Sequence, residues 1–177
     1  MNERGIWTKE QEYLTHQFDQ RLANVIINLF EVNTVADIGC GNGAYTAYLN
    51  EHGLKCKGYD GSPFTPQSCE IRDFSRVQDI GKFDLVLCLE VGEHIPVYYQ
   101  DVFINNVCNA TYKYIILSWA IPGQGGDGHV NCQDNYYVIG EVQRRGFQLD
   151  SHLTNLLRLE ASLSWFKNTI LVFEWKK

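Results

Sequence analysis

Val35-Ala36-Asp37-Ile38-Gly39-Cys40-Gly41-Asn42-Gly43-Ala44 is the stretch whose reading decides the fold. Its first four residues read as a short buried strand that runs straight into three glycines. Glycine lets a chain turn tightly and lets a ligand approach the backbone without meeting a Cβ. Residues 44–50 then read as a helix stopped by Gly53. A helix that starts after such a turn presents unpaired N–H groups and a positive dipole end to an anionic group.

Two ligand classes fit this turn. Gly39-x-Gly41-x-x-Ala44 matches the dinucleotide pattern, and Asp60 follows about 20 residues on, where that pattern has a ribose-binding acid. An NAD-binding oxidoreductase is therefore one reading. Asp37 favours another, because a carboxylate beside a pyrophosphate repels it. An amino-acid zwitterion instead offers its carboxylate to the helix start and its ammonium to Asp37. In either case Asp60 can accept both hydroxyls of a ribose; in Asp60-Gly61-Ser62-Pro63 it can equally serve as a turn residue.

Outward from this turn, strands and helices alternate. Leu22, Val25, Ile26 and Leu29 share one face of a helix over 19–30. Strands are expected over 55–59, in part of 68–73, and over 83–89, 114–119 and 169–175, with another beginning at Phe147. Helices are expected over 97–109, 136–145 and 153–163, and one over 7–18 ahead of the core. This alternation implies an α/β fold with a mostly parallel sheet, helices on both faces, and two late strands able to pair as an antiparallel edge. Such sheets bind ligands at the carboxyl ends of their strands. The 177 residues read as one domain, with 1–18 ahead of the core and 151–164 as a helical insertion before the last strand.

Composition narrows the partners. The chain has 15 basic and 21 acidic residues, a net charge of −6, and only two adjacent basic pairs, Arg144-Arg145 and Lys176-Lys177. That disfavours nucleic acid, which needs a clustered basic face. No apolar run approaches the roughly 20 residues of a membrane span, and residues 1–12 are too polar and acidic for a secretory leader. The six cysteines form no CxxC pair, so they read as reduced, mostly buried thiols of a cytoplasmic protein.

With Asp60 and the fourth-strand segment Phe83-Asp84-Leu85-Val86-Leu87-Cys88-Leu89-Glu90-Val91-Gly92-Glu93-His94-Ile95-Pro96, the chain resembles class I S-adenosylmethionine (SAM) dependent methyltransferases over residues 35–119. The resemblance implies a Rossmann-like, seven-stranded sheet with an antiparallel last strand, and residues 1–18 as an N-terminal lid over the cofactor, the alternative being a solvated helix packed on the sheet edge. It implies SAM as cofactor and S-adenosylhomocysteine as product. The cofactor-binding set would be Asp37, Gly39, Gly41, Gly43, Asp60, Asp73, Glu90 and His94, with Asp73 near the adenine. Glu93 is expected to cap the helix that follows it.

The acceptor side falls to the loop Trp119-Ala120-Ile121-Pro122-Gly123-Gln124-Gly125-Gly126-Asp127-Gly128-His129-Val130-Asn131. Gln124, His129 and Asn131 are its inward candidates. A hydroxyl acceptor must lose a proton, and a histidine suits that task near neutral pH. His129 is the expected base, with Asn131 orienting it or binding the acceptor. This loop resembles that of virus-encoded methyltransferases found near glycosyltransferases, which implies O-methylation of a sugar in a glycan or small polar molecule. Trp7, Tyr13, Trp119, Tyr136, Tyr137 and Trp165 are candidate stacking platforms. N-methylation of a small amine or peptide, and an inactive binding subunit, stand as alternatives. Asp127, Glu90 and His94 could hold a metal only if folding brought them together, and none is expected.

Overall fold

The sheet takes its shape from apolar runs with residues for both faces. In the computed structural model, which describes residues 1–10 and 16–176, β1 (Thr34–Ile38) and β4 (Phe83–Cys88) lie side by side and parallel, with Ala36 opposite Val86. β2 (Lys55–Asp60) flanks β1, and the two-residue β3 (Glu70–Ile71) completes that edge. On the other side β4 pairs with β5 (Thr111–Leu117). β6 (Phe147–Leu149) and β7 (Leu171–Trp175) finish a seven-stranded sheet of order β3-β2-β1-β4-β5-β7-β6. β7 runs antiparallel to both β5 and β6, and every other pairing is parallel, so the Rossmann-like expectation holds.

Successive residues of each strand point to opposite faces. Ala36, Ile38, Val86, Cys88, Ile115 and Leu117 feed one core layer, under α3 (Gln100–Asn109) and α4 (Asn135–Gln143). Val35, Leu85, Leu87 and Ile116 feed the other, under α1 (Gln20–Leu29), α2 (Ala44–Glu51) and α5 (Ser151–Glu160). A short helical turn, α6 (Phe166–Thr169), leads into β7. Among the described residues no helix is long and apolar enough to cross a membrane.

Several boundaries differ from expectation; β5, for one, spans Thr111–Leu117 in place of 114–119. The helix expected over 97–109 opens as a 3-10 turn, Val97–Tyr99, directly after Pro96, and becomes regular at Gln100. The insertion helix stops at Glu160, because the Ser162 and Leu163 N–H groups donate to Asp19 Oδ2, at 2.6 and 2.8 Å. Asp19 also caps α1 through Leu22 N–H, so one buried carboxylate joins both helices. The helix expected over 7–18 falls partly on 11–15, outside the described residues; residues 7–9 and 16–18 are not helical.

Asp84 knits the opposite end of the sheet. Its Oδ2 accepts from Asn33 N–H, Thr34 N–H and Thr34 Oγ1, and its Oδ1 from the Tyr112 hydroxyl. Desolvation works against the charge, but these four donors outweigh it and hold the carboxyl down at about 2. A carboxyl depressed in the folded state stabilises above its unfolded value, and that stability is lost as pH falls through the folded value. Asp84→Asn should therefore cost about 1–2 kcal/mol at pH 7. Thermal melts of wild type and variant should converge as the pH drops from about 5 to about 2.

Candidate functional site

The carboxyl ends of β1, β2 and β4 open at one edge. After β1 the chain bends through Gly39, Gly41 and Gly43, all at positive φ (76°, 51° and 76°). A Cβ on Gly41 would lie 2.3 Å from Nδ1 of His16, which packs across the loop. The turn is tied to the end of β2: Gly39 and Cys40 N–H donate to the Tyr59 carbonyl, and Gly41 N–H donates to Asp60 Oδ2 at 3.0 Å. Asp60 Oδ1 accepts from Ser62 N–H at 2.8 Å. Asp60 thus does the turn's work, and each carboxylate oxygen retains acceptor capacity for a ligand.

Asp37 sits just below, 4% exposed, and accepts from Thr46 Oγ1 at 2.7 Å. Burial pushes its carboxyl up to about 7, against the Thr46 hydrogen bond and with the help of Asp60. A cationic group beside it would restore its charge. Farther along, Asp73, Phe74 and Gly61 line a small side pocket with Ile6 and Trp7 of the N-terminal segment. Asp73 Oδ1 accepts from the Ser75 N–H and hydroxyl, and its Oδ2 meets Arg76 at 3.2 Å.

A cleft of about 530 Å³ opens beyond the glycine turn, a size suited to a small-molecule ligand. Asp37, Gly39, Gly41 and Tyr45 line one side; Glu90, His94, Gln124, Asp127 and His129 line the other. Trp7, Trp165 and Phe166 contribute aromatic surface. Glu90 follows β4 with φ 54°, a strained value for a residue with a side chain. Its carboxylate is held by Gln124 Nε2 at 2.8 Å and Thr169 Oγ1 at 3.2 Å.

His94 and His129 meet edge to face, with ring centroids 5.1 Å apart. Burial lowers His94 to about 4, despite its contact with the Gly128 carbonyl, so the ring is neutral at pH 7. Behind both rings lies Glu93. It is fully buried, its Oε1 is 4.0 Å from His129 Nε2, and its carboxyl lies against that of Glu90 and the N–H groups of Glu93 and Ala120 without a hydrogen bond of ordinary geometry among the described residues. Burial drives its carboxyl well above the ordinary range, and the charge of Glu90 adds to this.

Several sequence expectations are corrected here. Glu93 does not cap the following helix: it lies inside the 3-10 turn Gly92–His94, and α3 begins only at Gln100. Asn131 does not reach the cleft. It is buried, its Nδ2 donates to Ile95 O and Gln100 Oε1, and its Oδ1 accepts from Gln133, so its amide is consumed by the scaffold. Trp119 offers no platform, since its ring packs on Gly92 and its Nε1–H donates to Asn131 O. Tyr136 and Tyr137 lie outside the cleft lining, and Tyr13 lies outside the described residues. The fold also supplies the convergence of ligating groups that the sequence did not reveal: Glu93, His94 and His129 place three donor atoms within 4.8 Å of one another. His16 and Thr46 were missed as well. Thr46 lies one helical turn past the glycines, a spacing that could have pointed to Asp37.

A family model described as a methyltransferase domain matches residues 7–110. This chain belongs to that methyltransferase family. No curated protein matches it. Among solved structures, magnesium protoporphyrin IX methyltransferase from Synechocystis PCC 6803, with S-adenosylhomocysteine bound, superposes with TM-score 0.67 at 19% identity, over 89% of this chain and 83% of that one. The sugar N-methyltransferase from Streptoalloteichus sp ATCC 53650 gives 0.66 at 14% identity, over 89% and 85%. The N-methyltransferase NodS from Bradyrhizobium japonicum WM9, also with S-adenosylhomocysteine, gives 0.62 at 15%, over 89% and 85%.

The residues of this methyltransferase fit SAM as its cofactor. The glycine turn lines the cleft with bare backbone at positive φ, Asp37 is a buried acid suited to an ammonium, and Asp60 retains acceptor sites for a ribose. Asp60→Ala should weaken SAM binding at least about 10-fold in calorimetric titration, the loss of charge-assisted hydrogen bonds. An unchanged affinity would remove Asp60 from the cofactor site.

Proposed function

We propose that this methyltransferase moves a methyl group from SAM to a hydroxyl oxygen of a sugar, in a glycan or a small polar molecule. The observation that carries the reading is the pairing, across one cleft, of the Asp37–glycine wall with His129, a histidine backed by a buried carboxylate. When bound, SAM supplies an electrophilic methyl group on a sulfonium. The chain's own residues do the rest. Gly39, Gly41, Gly43, Asp37 and Asp60 hold the donor, with Asp73, Glu90 and His94 along the same wall. Trp7, Trp165 and Phe166 keep water away from the reacting atoms and give a sugar ring an apolar face to rest on. His129 draws off the hydroxyl proton, and Glu93 lies behind its ring, with Oε1 4.0 Å from Nε2. Asn131 acts as a positioning residue, fixing the strand of loop on which His129 rides.

The resemblance of the Trp119–Asn131 loop to virus-encoded sugar methyltransferases supports the acceptor class, and so does the similarity of the fold to a sugar N-methyltransferase. The acidic net charge of −6 argues against nucleic acid, and the unpaired cysteines suit a reducing cytoplasm. N-methylation is the second reading, favoured by the two N-methyltransferases of similar fold.

Transfer of labelled methyl from SAM to a panel of glycans, phenols, amines and RNA separates the two. Label on a glycan hydroxyl is the expected result. His129→Ala should lower that transfer about 100-fold or more while leaving SAM affinity within about 3-fold. Label on amines, unaffected by His129→Ala, would establish the N-methyl reading instead.

A further inference from the structure

Glu93 raises a question that the methyl-transfer scheme leaves open. The Glu93 carboxyl has no solvent exposure and no hydrogen bond of ordinary geometry, and it faces a second acid, Glu90; such groups are normally paired or bound to a cation. The nearest basic group is His129 Nε2 at 4.0 Å, too far for a hydrogen bond. His94 completes the group, and the three donor atoms lie within 4.8 Å of one another.

We propose that Glu93, His94 and His129 bind one divalent first-row transition-metal ion at the inner wall of the cleft, with its open coordination positions turned toward the acceptor. Two imidazoles and one carboxylate are a donor set that suits such ions and leaves room for further oxygen ligands. The rings are prepared for this. His94 Nδ1 meets the Gly128 carbonyl at 3.1 Å; a neutral ring donates its proton there and keeps the lone pair on Nε2 for the ion. His129 points Nε2 toward Glu93, so that the carboxylate and the lone pair share one direction.

The frame around the group is rigid. Val130 and Asn131 N–H both donate to the Glu93 carbonyl at 2.9 Å, which fastens the His129 segment to the 3-10 turn that carries Glu93 and His94. Gly126 gives the His129 ring its seat: a Cβ there would fall 2.3 Å from Nε2. Bonds of about 2.1 Å put two donors no more than about 4.2 Å apart, so a small inward rotation of the side chains closes the group. Asp127 is not part of it, and Glu90 is held by Gln124 and Thr169.

For what the open positions meet, this proposal rests on the sugar O-methyltransferase reading. Two neighbouring hydroxyls of a sugar would chelate the ion, which selects vicinal diols. The ion would lower the pKa of a bound hydroxyl, whose proton would leave to bulk water, and His129 would then serve by holding the ion in place of the base role given above.

The test uses the full chain, stripped with EDTA, dialysed and titrated with Co²⁺. Bound ion is counted by equilibrium dialysis, its coordination is read from the visible spectrum, and thermal melts are run with and without it. The expected result is one Co²⁺ per chain, a spectrum of an N/O-ligated ion, and a higher Tm with the ion. His129→Ala and Glu93→Gln should each weaken Co²⁺ at least about 100-fold. The metal-free Glu93→Gln protein should melt no lower than metal-free wild type, since it removes an uncompensated buried acid, and Co²⁺ should no longer raise its Tm. Absence of bound Co²⁺ in wild type, or equal binding by both variants, would overturn the site. SAM affinity of the metal-free wild type is measured alongside. Its loss with Co²⁺ binding intact would unseat the methyltransferase reading and leave the ion site standing.

Discussion

The parallel pairing of β1 with β4 is the constraint on which the molecule depends. Val35, Ala36, Leu85, Val86 and Leu87 have no exposure at all, and their alternation commits each strand to both core layers. A slip of one residue would exchange the two layers, so the register is fixed. The ends of both strands therefore fall at one level. From those ends the chain leaves in opposite directions, one into the glycine turn and one into the turn of Glu90 to His94. The cleft is the space between the two departures.

That space is acidic. Asp37, Asp60, Glu90 and Glu93 all stand at or just beyond the ends of β1, β2 and β4. Burial and mutual repulsion raise Asp37 and Glu93, so ionising either of them in the cleft is costly. Cations relieve that cost, and the function assigned to the cleft brings them from two sides. In the proposed function the ammonium of SAM would meet Asp37, and in the proposed ion site a divalent cation would meet Glu93. The same electrostatics that destabilise the ligand-free protein give it affinity for positively charged partners.

Much of this was legible in the sequence, because it depends on neighbours along the chain. The run from Val35 to Ala44 announces its strand, turn and helix by local pattern, and Asp60 follows at a fixed interval. The Phe83–Cys88 strand is an apolar run with glycines on both sides. What stayed hidden depends on residues far apart. Asn131 and Trp119 sit in a polar, glycine-rich stretch that reads as surface, yet they are buried because the loop is stitched to the Glu93 carbonyl. Glu93 looks like an ordinary helix-start acid until His129, 36 residues away, is set against it. The end of the insertion helix is likewise decided by Asp19, more than 140 residues earlier.

The position of β7 has a consequence for how the chain is made. It is the last strand in sequence, yet it lies between β5 and β6. On the ribosome, the first five strands can assemble while residues 171–175 are still to be translated. Until those residues emerge, β5 presents an open row of N–H and C=O groups, with Ile115, Ile116 and Leu117 uncovered beside it. Such an edge pairs readily with any other extended chain. Whatever frees β7 therefore opens an edge in the middle of the sheet, not at its rim, and offers it to a second chain.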